Sequence, residues 1–599
     1  MKKPIGEIRP SQFVSTYGPG AIIDLPDYSI ILAGIDYWNL ADTKKIDEPR
    51  LRKRLRVNSI RSLPTKTKGD IPTIPSFRYP TYYVCPNCRK LAPFYKFTQK
   101  TDGSIFCNNN KDNANCENVK AFPVRYLSAC TGGHLNDFHW NSFVHQKNRS
   151  CKETNRLYLR DAAAEGKLED VQIVECKACD TRRPLSDAFD KSQKALPACL
   201  GRRPWLGKNK EEECGKEQRI ILRGASNIYF PVIEGVLSIP KETQSPVVEV
   251  LEGLSDRISM INTYEKLKLM LDMNVFPELN QFSHEEIWRA ITNSKEEEEI
   301  NHDDLLLPEW KVLSSNQKIK EENNLFEMEP QPLTGQYEHE ISNLVMVRRL
   351  REVRVIRNFT RINPAPDVTS QAFTEGDEAD VGFASLSSGN LDWLPGVETY
   401  GEGIFFAVNE DYLREWEKRD PVKEYEKNLE HVFNQYYEER RIKPDYRPPF
   451  PGVRYVMLHS LAHILIRHLC MHSGYSASSL RERIYSRKSP EKKDSMAGVL
   501  IYTASPDSEG SLGGLVELGN SEKFSSILWE ALEEARLCSA DPLCSDYEPH
   551  HHRDLNGACC HSCLLIAETS CESTNRYLDR SLLVETVSNQ NLNFFLRKS

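Results

Sequence analysis

Long hydrophobic runs are missing from this sequence of 599 residues. No stretch of about eighteen apolar residues occurs, and a helix that crosses a membrane needs roughly that length. Residues 1–13 also lack the apolar segment that is typical of a secretion signal. We therefore expect a cytoplasmic protein that has no membrane partner.

An excess of positive charge is missing as well. The formal net charge is −8 and the pI is about 6.1, so the surface as a whole lacks the basic character of a protein that binds nucleic acid by itself. Contacts with DNA would have to come from local basic stretches or from a basic partner. Because 39% of the residues are hydrophobic, the chain can bury several cores and is not a disordered tail.

Complete catalytic motifs are also absent. The closest approach to the phosphate-binding motif G-x4-G-K-[ST] is residues 201–209, where five residues separate the glycines and Asn209 replaces the hydroxyl that binds Mg2+. The helicase-like string at 377–380 (DEAD) follows a polar stretch and not a buried strand. Nuclease and methyltransferase signatures are not found either. The sequence therefore predicts that this chain is not an enzyme.

Cysteine, in contrast, is abundant, with 17 residues, many of them in pairs separated by two residues. In a reducing cytosol such pairs indicate Zn2+ sites and not disulfides. We predict three sites in which thiolates fill every coordination position, so that each site is structural. The predicted metal ligands are Cys85, Cys88, Cys107 and Cys116; Cys176, Cys179, Cys199 and Cys214; and Cys538, Cys544, Cys560, Cys563 and Cys571.

The last of these sets holds more thiols than one ion can take. Zinc accepts four ligands in a structural site, and Cys559 adds a sixth cysteine to the region. We predict that Cys559 is a spectator, and the choice of four among the other five remains open.

Histidines form two further groups. Cys130, His134, Asp137 and His139 lie close together in the sequence, and His145 and Cys151 follow. Such a group could bind a metal ion and activate water, although a turn with satisfied polar groups explains the spacing as well. His459 and His463 lie four residues apart on an apolar helix, where a packed core pair is the expected arrangement.

Composition divides the chain into four predicted regions of a mixed α+β, multi-domain fold with small zinc-binding modules. Residues 1–80 mix short strands with a basic stretch, and residues 81–219 hold the first cysteine pairs. Residues 220–450 form a central α/β region with an acidic helical insertion near 250–345. Residues 451–599 begin with a long apolar helix and end with the second group of cysteines.

Two basic stretches are candidates for contacts with DNA phosphates. Residues 50–68 carry eight lysines and arginines and no acid, and residues 348–361 alternate arginine with valine, leucine and isoleucine. Charged runs are often only solvated faces, and a face for a protein partner competes with DNA. The predicted nucleic-acid-binding residues are Arg52, Lys53, Arg54 and Arg56, and Arg348, Arg349, Arg351 and Arg354.

Six blocks of sequence, spread from residue 8 to residue 580, resemble the DrmB family, the DUF1998-containing subunits of the bacterial DISARM anti-phage system. The blocks follow the family order over nearly the whole chain. They are 8–12 (IRPSQ) with 17–22 (YGPGAI); 133–138 (GHLNDF); 225–231 (ASNIYFP); 350–354 (LREVR) with 359–361 (FTR); 459–463 (HSLAH) with 474–485 (GYSASSLRERIY); and 557–564 (GACCHSCL) with 575–580 (NRYLDR).

This resemblance implies a DUF1998-like C-terminal domain and an accessory role. Such proteins pair with a DrmA-like, superfamily 2 helicase subunit that contacts DNA, which would explain the missing ATPase motifs here. It also implies that Cys559 stands where relatives carry alanine. Two alternatives stay open: a metal-dependent hydrolase acting on nucleic acid through Cys130, His134, Asp137 and His139, and a purely structural scaffold.

Overall fold

The computed structural model describes residues 8–597 except for several short segments. Three predicted features fall on these segments and so lie outside the described residues: Lys66 and Lys68, much of the acidic insertion, and the string at 377–380. The segments are 65–72, 110–115, 148–149, 152–155, 162–171, 208–210, 241–250, 252–253, 255–260, 262, 274, 280–281, 289–290, 292–303, 322–324, 365–381, 441, 443, 445–446, 491–493, 504–512 and 550–554.

The N-terminal region combines short strands with two short helices. The second helix begins with Pro49, whose fixed backbone angle suits a first helical position, and ends where Arg56 takes a left-handed conformation. Three of the strands form the sheet β1-β2-β5. The elements are α1 (Pro10–Ser15), β1 (Ile22–Asp24), β2 (Ser29–Leu32), β3 (Lys45–Ile46), α2 (Pro49–Leu55), β4 (Ser59–Arg61) and β5 (Ser76–Arg78).

The first cysteine-rich region is built from short strands. Its largest sheet has the order β11-β6-β7-β14-β15-β16, and two smaller sheets have the orders β10-β9-β8 and β13-β12-β17. The elements are β6 (Tyr82–Val84), β7 (Lys90–Pro93), β8 (Thr98–Gln99), β9 (Ile105–Cys107), β10 (Val119–Lys120), β11 (Phe122–Pro123), β12 (Tyr126–Ala129), β13 (Leu135–Asp137), α3 (Trp140–Val144), β14 (Leu157–Asp161), β15 (Gln172–Cys176), β16 (Thr181–Pro184) and β17 (Arg219–Leu222).

Two long strands dominate the central region, and the described part of this region also contains four helices. The apolar run at 228–239 contains the strand β18, and β21 includes residues 348–360 of the arginine-rich stretch. The elements are β18 (Phe230–Ser238), α4 (Tyr264–Asp272), α5 (Leu306–Leu313), β19 (Ile319–Lys320), β20 (Glu327–Pro330), β21 (Ile341–Thr360), β22 (Trp393–Val408), α6 (Glu410–Glu417) and α7 (Asp420–Glu439).

The C-terminal region begins with the predicted apolar helix, which is buried along most of its length. Gly474 ends this helix with a φ of +76°, a conformation that glycine adopts without strain. No helix in the described residues, this one included, is both long enough and apolar enough to cross a membrane. The elements are α8 (Gly452–Ser473), β23 (Leu480–Arg487), β24 (Met496–Thr503) and α9 (Ser521–Ala535).

One sheet joins the central and C-terminal regions. In the described chain it has nine strands, with the path β19-β20-β21-β22-β24-β23 and with β18, β3 and β4 attached to it. Successive side chains of a strand point to opposite faces: Leu344 packs into the core beneath the C-terminal helices, whereas Val345 packs into a second core around Phe405. Farther along β21, Val353 enters a third core with the N-terminal residues. The mixed α+β fold class is confirmed.

Candidate metal centres

All 17 cysteines are free thiols, and most lie in tight clusters. The first cluster is Cys85, Cys88, Cys107 and Cys116, whose sulfur atoms all lie within 4.8 Å of one another. Cys85 and Cys88 flank the turn between β6 and β7, and Cys107 ends β9. The structure thus brings together the four residues that the sequence grouped. A hydrogen bond from Cys85 lowers the pKa of the Cys88 thiol to about 4, which favours the thiolate.

The second cluster corrects the predicted partners of Cys199 and Cys214. These two thiols meet Cys130 and His134, and not Cys176 and Cys179. Cys130 Sγ lies 3.8 Å from Cys214 Sγ and 3.3 Å from Nδ1 of His134. The other ring nitrogen of His134, Nε2, donates to a carboxylate oxygen of Glu212 at 2.6 Å. This bond leaves the Nδ1 lone pair directed at the thiols, as in carboxylate–histidine–zinc arrangements.

The third cluster contains the C-x2-C pair that the sequence had grouped with Cys199 and Cys214. Cys176 and Cys179 meet His145 and Cys151. Nδ1 of His145 donates to the carbonyl oxygen of Asn141 at 2.9 Å, so its buried Nε2 presents a lone pair, and this atom has no hydrogen-bond partner in the described structure. A hydrogen bond from the hydroxyl of Thr181 lowers the pKa of Cys179 to about 6. The set predicted as one site is therefore divided between two.

The fourth cluster is Cys538, Cys544, Cys560 and Cys563. Burial raises the pKa of Cys560, but hydrogen bonds from Cys538 and Cys563 outweigh it and bring the value to about 7. Cys559 packs instead against the C-terminal hydrophobic core. The prediction that Cys571 belongs with these thiols is wrong, because Cys571 lies in a different group with His459, His463 and Glu482.

The sulfur separations can be compared with the size of a zinc ion. Zn–S bonds of about 2.3 Å in a tetrahedron place the sulfurs about 3.8 Å apart. Cys85 and Cys116, and likewise Cys88 and Cys107, are 3.8 Å apart. In the fourth cluster Cys544 lies 3.7 Å from Cys563, and Cys538 lies 3.4 Å from Cys560. These separations fit a zinc ion and exclude S–S bonds, which are about 2.0 Å long.

The hydrolase arrangement is not formed. Cys130 and His134 belong to the second cluster, but the carboxylate of Asp137 accepts hydrogen bonds from the backbone N–H and the hydroxyl of Thr81, at 2.8 and 2.6 Å. His139 is held by Gln218, whose Nε2 lies 3.0 Å from the ring. Asp137 and His139 are therefore held by Thr81 and Gln218 and are not members of the second cluster.

The eight basic candidates divide into exposed and buried residues. Arg52, Lys53 and Arg56 are exposed on α2 and at its end. Arg54 instead faces Glu234 at 3.6 Å, with both side chains more than nine-tenths buried. In the second stretch Arg349 is half-buried, and Arg348 is bound to Glu329 and Glu517, each at 3.0 Å.

Arg351 and Arg354 do not have the surface position that contacts with DNA would need. The side chain of Arg351 is 8% exposed, and its guanidinium lies 2.6 Å from the carboxylate of Glu398. Burial and the neighbouring Arg481 lower the pKa of Arg354 to about 10, against the opposing effect of Glu352. Both residues lie on β21, which is paired on each side by other strands, so their charges are balanced inside the protein.

The predicted zinc sites leave out two histidines, His134 and His145, that the structure places in cysteine clusters. His134 follows Cys130 by four residues and His145 precedes Cys151 by six, and both pairs are cysteine–histidine combinations at distances that occur in zinc sites. Glu482 gave no such signal, because nothing in its surrounding sequence distinguishes it from a surface glutamate.

Comparison with known proteins links these clusters to a family. Residues 9–230 match a domain of unknown function, DUF8724, and residues 461–564 match the MrfA Zn-binding domain. The DISARM protein DrmB of Bacillus paralicheniformis is 32% identical over 594 residues, which cover 96% of this chain and 99% of the relative. A solved structure, the DUF1998 helicase MrfA bound to DNA, aligns with 13% identity and a TM-score of 0.19, covering 39% of this chain and 23% of that chain.

Proposed function

Because the chain belongs to the DrmB family of DISARM proteins, we propose that it is a non-catalytic, zinc-binding subunit that pairs with a helicase-like protein and supports its engagement of DNA in defence against phage. The observation that carries this proposal is the similarity to a DISARM DrmB over 96% of the chain. The domain match at residues 461–564 and the thiol clusters support zinc binding.

The zinc ligands in this proposal are those of the four clusters. Each cluster supplies four ligands from cysteine and histidine, and zinc with four protein ligands has no open position for water or substrate. The metal would therefore hold loops together and would not act on a substrate. This chemistry agrees with a subunit that leaves ATP hydrolysis to its partner.

Contacts with DNA are proposed for Arg52, Lys53 and Arg56 alone. These exposed side chains form no ion pair with another described residue, so their charge is available to a partner. The charges of the largely buried Arg351 and Arg354 on β21 are not available in this way. A contribution of three phosphate contacts suits an acidic chain that binds DNA only as part of a complex.

The test uses the purified complex of this chain with the helicase-like subunit of its defence system. A variant that combines Arg52→Glu, Lys53→Glu and Arg56→Glu is compared with a control that combines Lys418→Glu, Lys423→Glu and Lys427→Glu. These three lysines are exposed; Lys418 directly follows α6, and the other two lie on α7. Both variants change the charge by the same amount. Binding of a labelled duplex is measured between about 50 and 200 mM salt.

We expect the first variant to weaken binding and to flatten its salt dependence by about 0.9 in log–log slope for each lost contact. The control should bind as the unmodified complex does. Equal effects of both variants would contradict a DNA contact by α2 and favour the structural scaffold. Failure of the two subunits to co-purify would contradict the partnership itself.

A further inference from the structure

A fifth group of potential ligands lies in the C-terminal core, apart from the four clusters. His459 and His463 stand one turn apart on α8, Glu482 lies on β23, and Cys571 follows the fourth cluster in the chain. The two histidines and the glutamate are completely buried, and Cys571 is 8% exposed. Nothing in the proposed function uses this group.

The distances within the group are short. Nε2 of His459 lies 2.9 Å from Oε1 of Glu482 and 3.1 Å from Sγ of Cys571. Nε2 of His463 lies 3.4 Å from the other carboxylate oxygen, Oε2. One atom from each of the four side chains thus surrounds a common point inside the protein.

The orientation of both rings is determined by the backbone. Nδ1 of His459 lies 3.2 Å from the carbonyl oxygen of Tyr577, and Nδ1 of His463 lies 2.8 Å from that of Leu564. A carbonyl oxygen only accepts hydrogen bonds, so each Nδ1 carries the hydrogen. In the neutral rings each Nε2 therefore directs a lone pair toward the carboxylate and the thiol.

Without a cation this arrangement is poorly satisfied. Nε2 of His463 and Oε2 of Glu482 are buried and have no hydrogen-bond partner in the described structure, and two lone pairs that face each other repel. Protonation of both rings would place two positive charges beside one carboxylate in a fully buried site. A divalent cation would instead balance the carboxylate and a thiolate, and it would use every lone pair.

We propose that His459, His463, Glu482 and Cys571 bind a zinc ion in addition to those of the four clusters. Two imidazole nitrogens, one carboxylate oxygen and one thiolate are all ligands that zinc accepts, and four of them complete its tetrahedron. The hydrogen bonds from Nδ1 to backbone carbonyls are the supporting contacts that zinc-binding histidines make. Backbone N–H groups orient the other ligands: that of Asn575 donates to Cys571 Sγ at 3.2 Å, and that of Glu572 donates to Glu482 Oε1 at 3.1 Å.

The role of this ion would be structural. The group is buried and its four ligands leave no position for a substrate. It would connect α8, β23 and the segment that follows the fourth cluster, and so add to hydrogen bonds such as the one from the backbone N–H of Glu482 to the carbonyl oxygen of Ser570 at 3.2 Å. The proposal does not depend on a helicase partner or on DNA.

The first measurement locates zinc in the unmodified full-length chain. X-ray data collected on either side of the zinc absorption edge should show an anomalous peak between the two Nε2 atoms, Glu482 and Cys571, with a height similar to that of the fourth cluster. A peak at the fourth cluster and none at this position would overturn the proposal, whatever the variants do.

The second measurement is the zinc content of purified variants by elemental analysis. Glu482→Gln and Cys571→Ser should each lose one zinc per chain. Two controls should keep the full content: Glu534→Gln on α9, whose carboxylate lies 3.1 Å from Nε2 of His468, and Cys470→Ser on α8. Glu482→Gln is the more informative change, because an amide can donate to a neutral histidine and keep a metal-free hydrogen-bonded core intact. Folded Glu482→Gln with unchanged zinc would contradict the metal site.

Discussion

Replacing Arg351 by methionine tests whether this arginine stabilises the fold or contacts DNA. Methionine keeps the apolar stem and removes the guanidinium, which lies 2.6 Å from Glu398 and 3.9 Å from Glu48 and also donates to Ser238 Oγ at 2.8 Å. Glu48 is 6% exposed, and burial already raises its pKa in spite of Arg50, Ser238 and Arg351. The substitution would leave this carboxylate with less positive charge nearby.

The magnitude follows from the burial of the partners. Breaking a buried ion pair on one side costs about 3–5 kcal/mol. Because Glu398 is one-third exposed and water can replace part of the lost contact, we expect a smaller cost than this, about 2–3 kcal/mol. Arg52→Met on the exposed face of α2 should change the free energy of unfolding by about 0.5 kcal/mol or less.

The assay is urea denaturation followed by circular dichroism, together with DNA binding by the complex under conditions where each variant is folded. A chain of this size with several cores need not unfold in one step, so the midpoints of the variants are compared transition by transition. Arg351→Met should lower the urea midpoint of one transition and leave DNA affinity unchanged. Arg52→Met should weaken DNA binding and leave the midpoints unchanged. A stable Arg351→Met variant with weakened DNA binding would refute the structural assignment of β21.

Three further outcomes are expected. Cys199→Ser and Cys176→Ser should each lose one zinc and the double variant two, by elemental analysis, because these residues lie in different clusters; loss of a single ion in the double variant would restore the single site predicted from the sequence. Cys559→Ser should keep its zinc content whereas Cys560→Ser loses one ion, and equal losses would contradict the fourth cluster. Arg483→Ala should cost about 3–5 kcal/mol in chemical denaturation, since its partner Glu309 is fully buried at 2.6 Å; the exposed pair of Lys418 and Glu415 provides the control, and Lys418→Ala should cost no more than about 1 kcal/mol.

Local spacing grouped the four residues of the first cluster. It left five candidates for the fourth cluster, and it was insufficient for the second and third. Cysteines that flank one turn mark a ligand pair, but the partners of that pair depend on strand pairing. Ala129 lies opposite Arg219 in the β12–β17 pair, which brings Cys130 close to the segment that carries Cys214. Leu157 lies opposite Cys176 in the β14–β15 pair, which places Cys176 near the segment that carries Cys151. Neither long-range pairing leaves a mark in the sequence between the cysteines.

The sequence also did not show which acidic residues pair with the arginines of β21. Alternation of arginine with apolar residues is compatible with a strand, but it did not reveal that other strands flank this one on both sides. The acidic partners come from elsewhere in the chain: Glu352 accepts from Arg481 Nη1 at 2.6 Å and from the hydroxyl of Tyr502 at 2.9 Å. A basic stretch becomes a solvated face or a buried network according to these distant partners. The four predicted region boundaries remain predictions.

The metal sites have different structural settings in the two cysteine-rich regions. In the first region the apolar clusters are small, and one of them consists of cysteines with two flanking apolar residues, so zinc would supply cohesion that a thin core cannot. The C-terminal region has the most extensive core of the described chain and needs no such substitute. There the fourth cluster and the buried histidine–glutamate–cysteine group lie on either side of the same segment, residues 564–570. Metal ions at both ends would fix the position of this segment on α8 and β23. Hydrophobic packing alone would fix it less well, because the hydrophobic effect has no preferred direction.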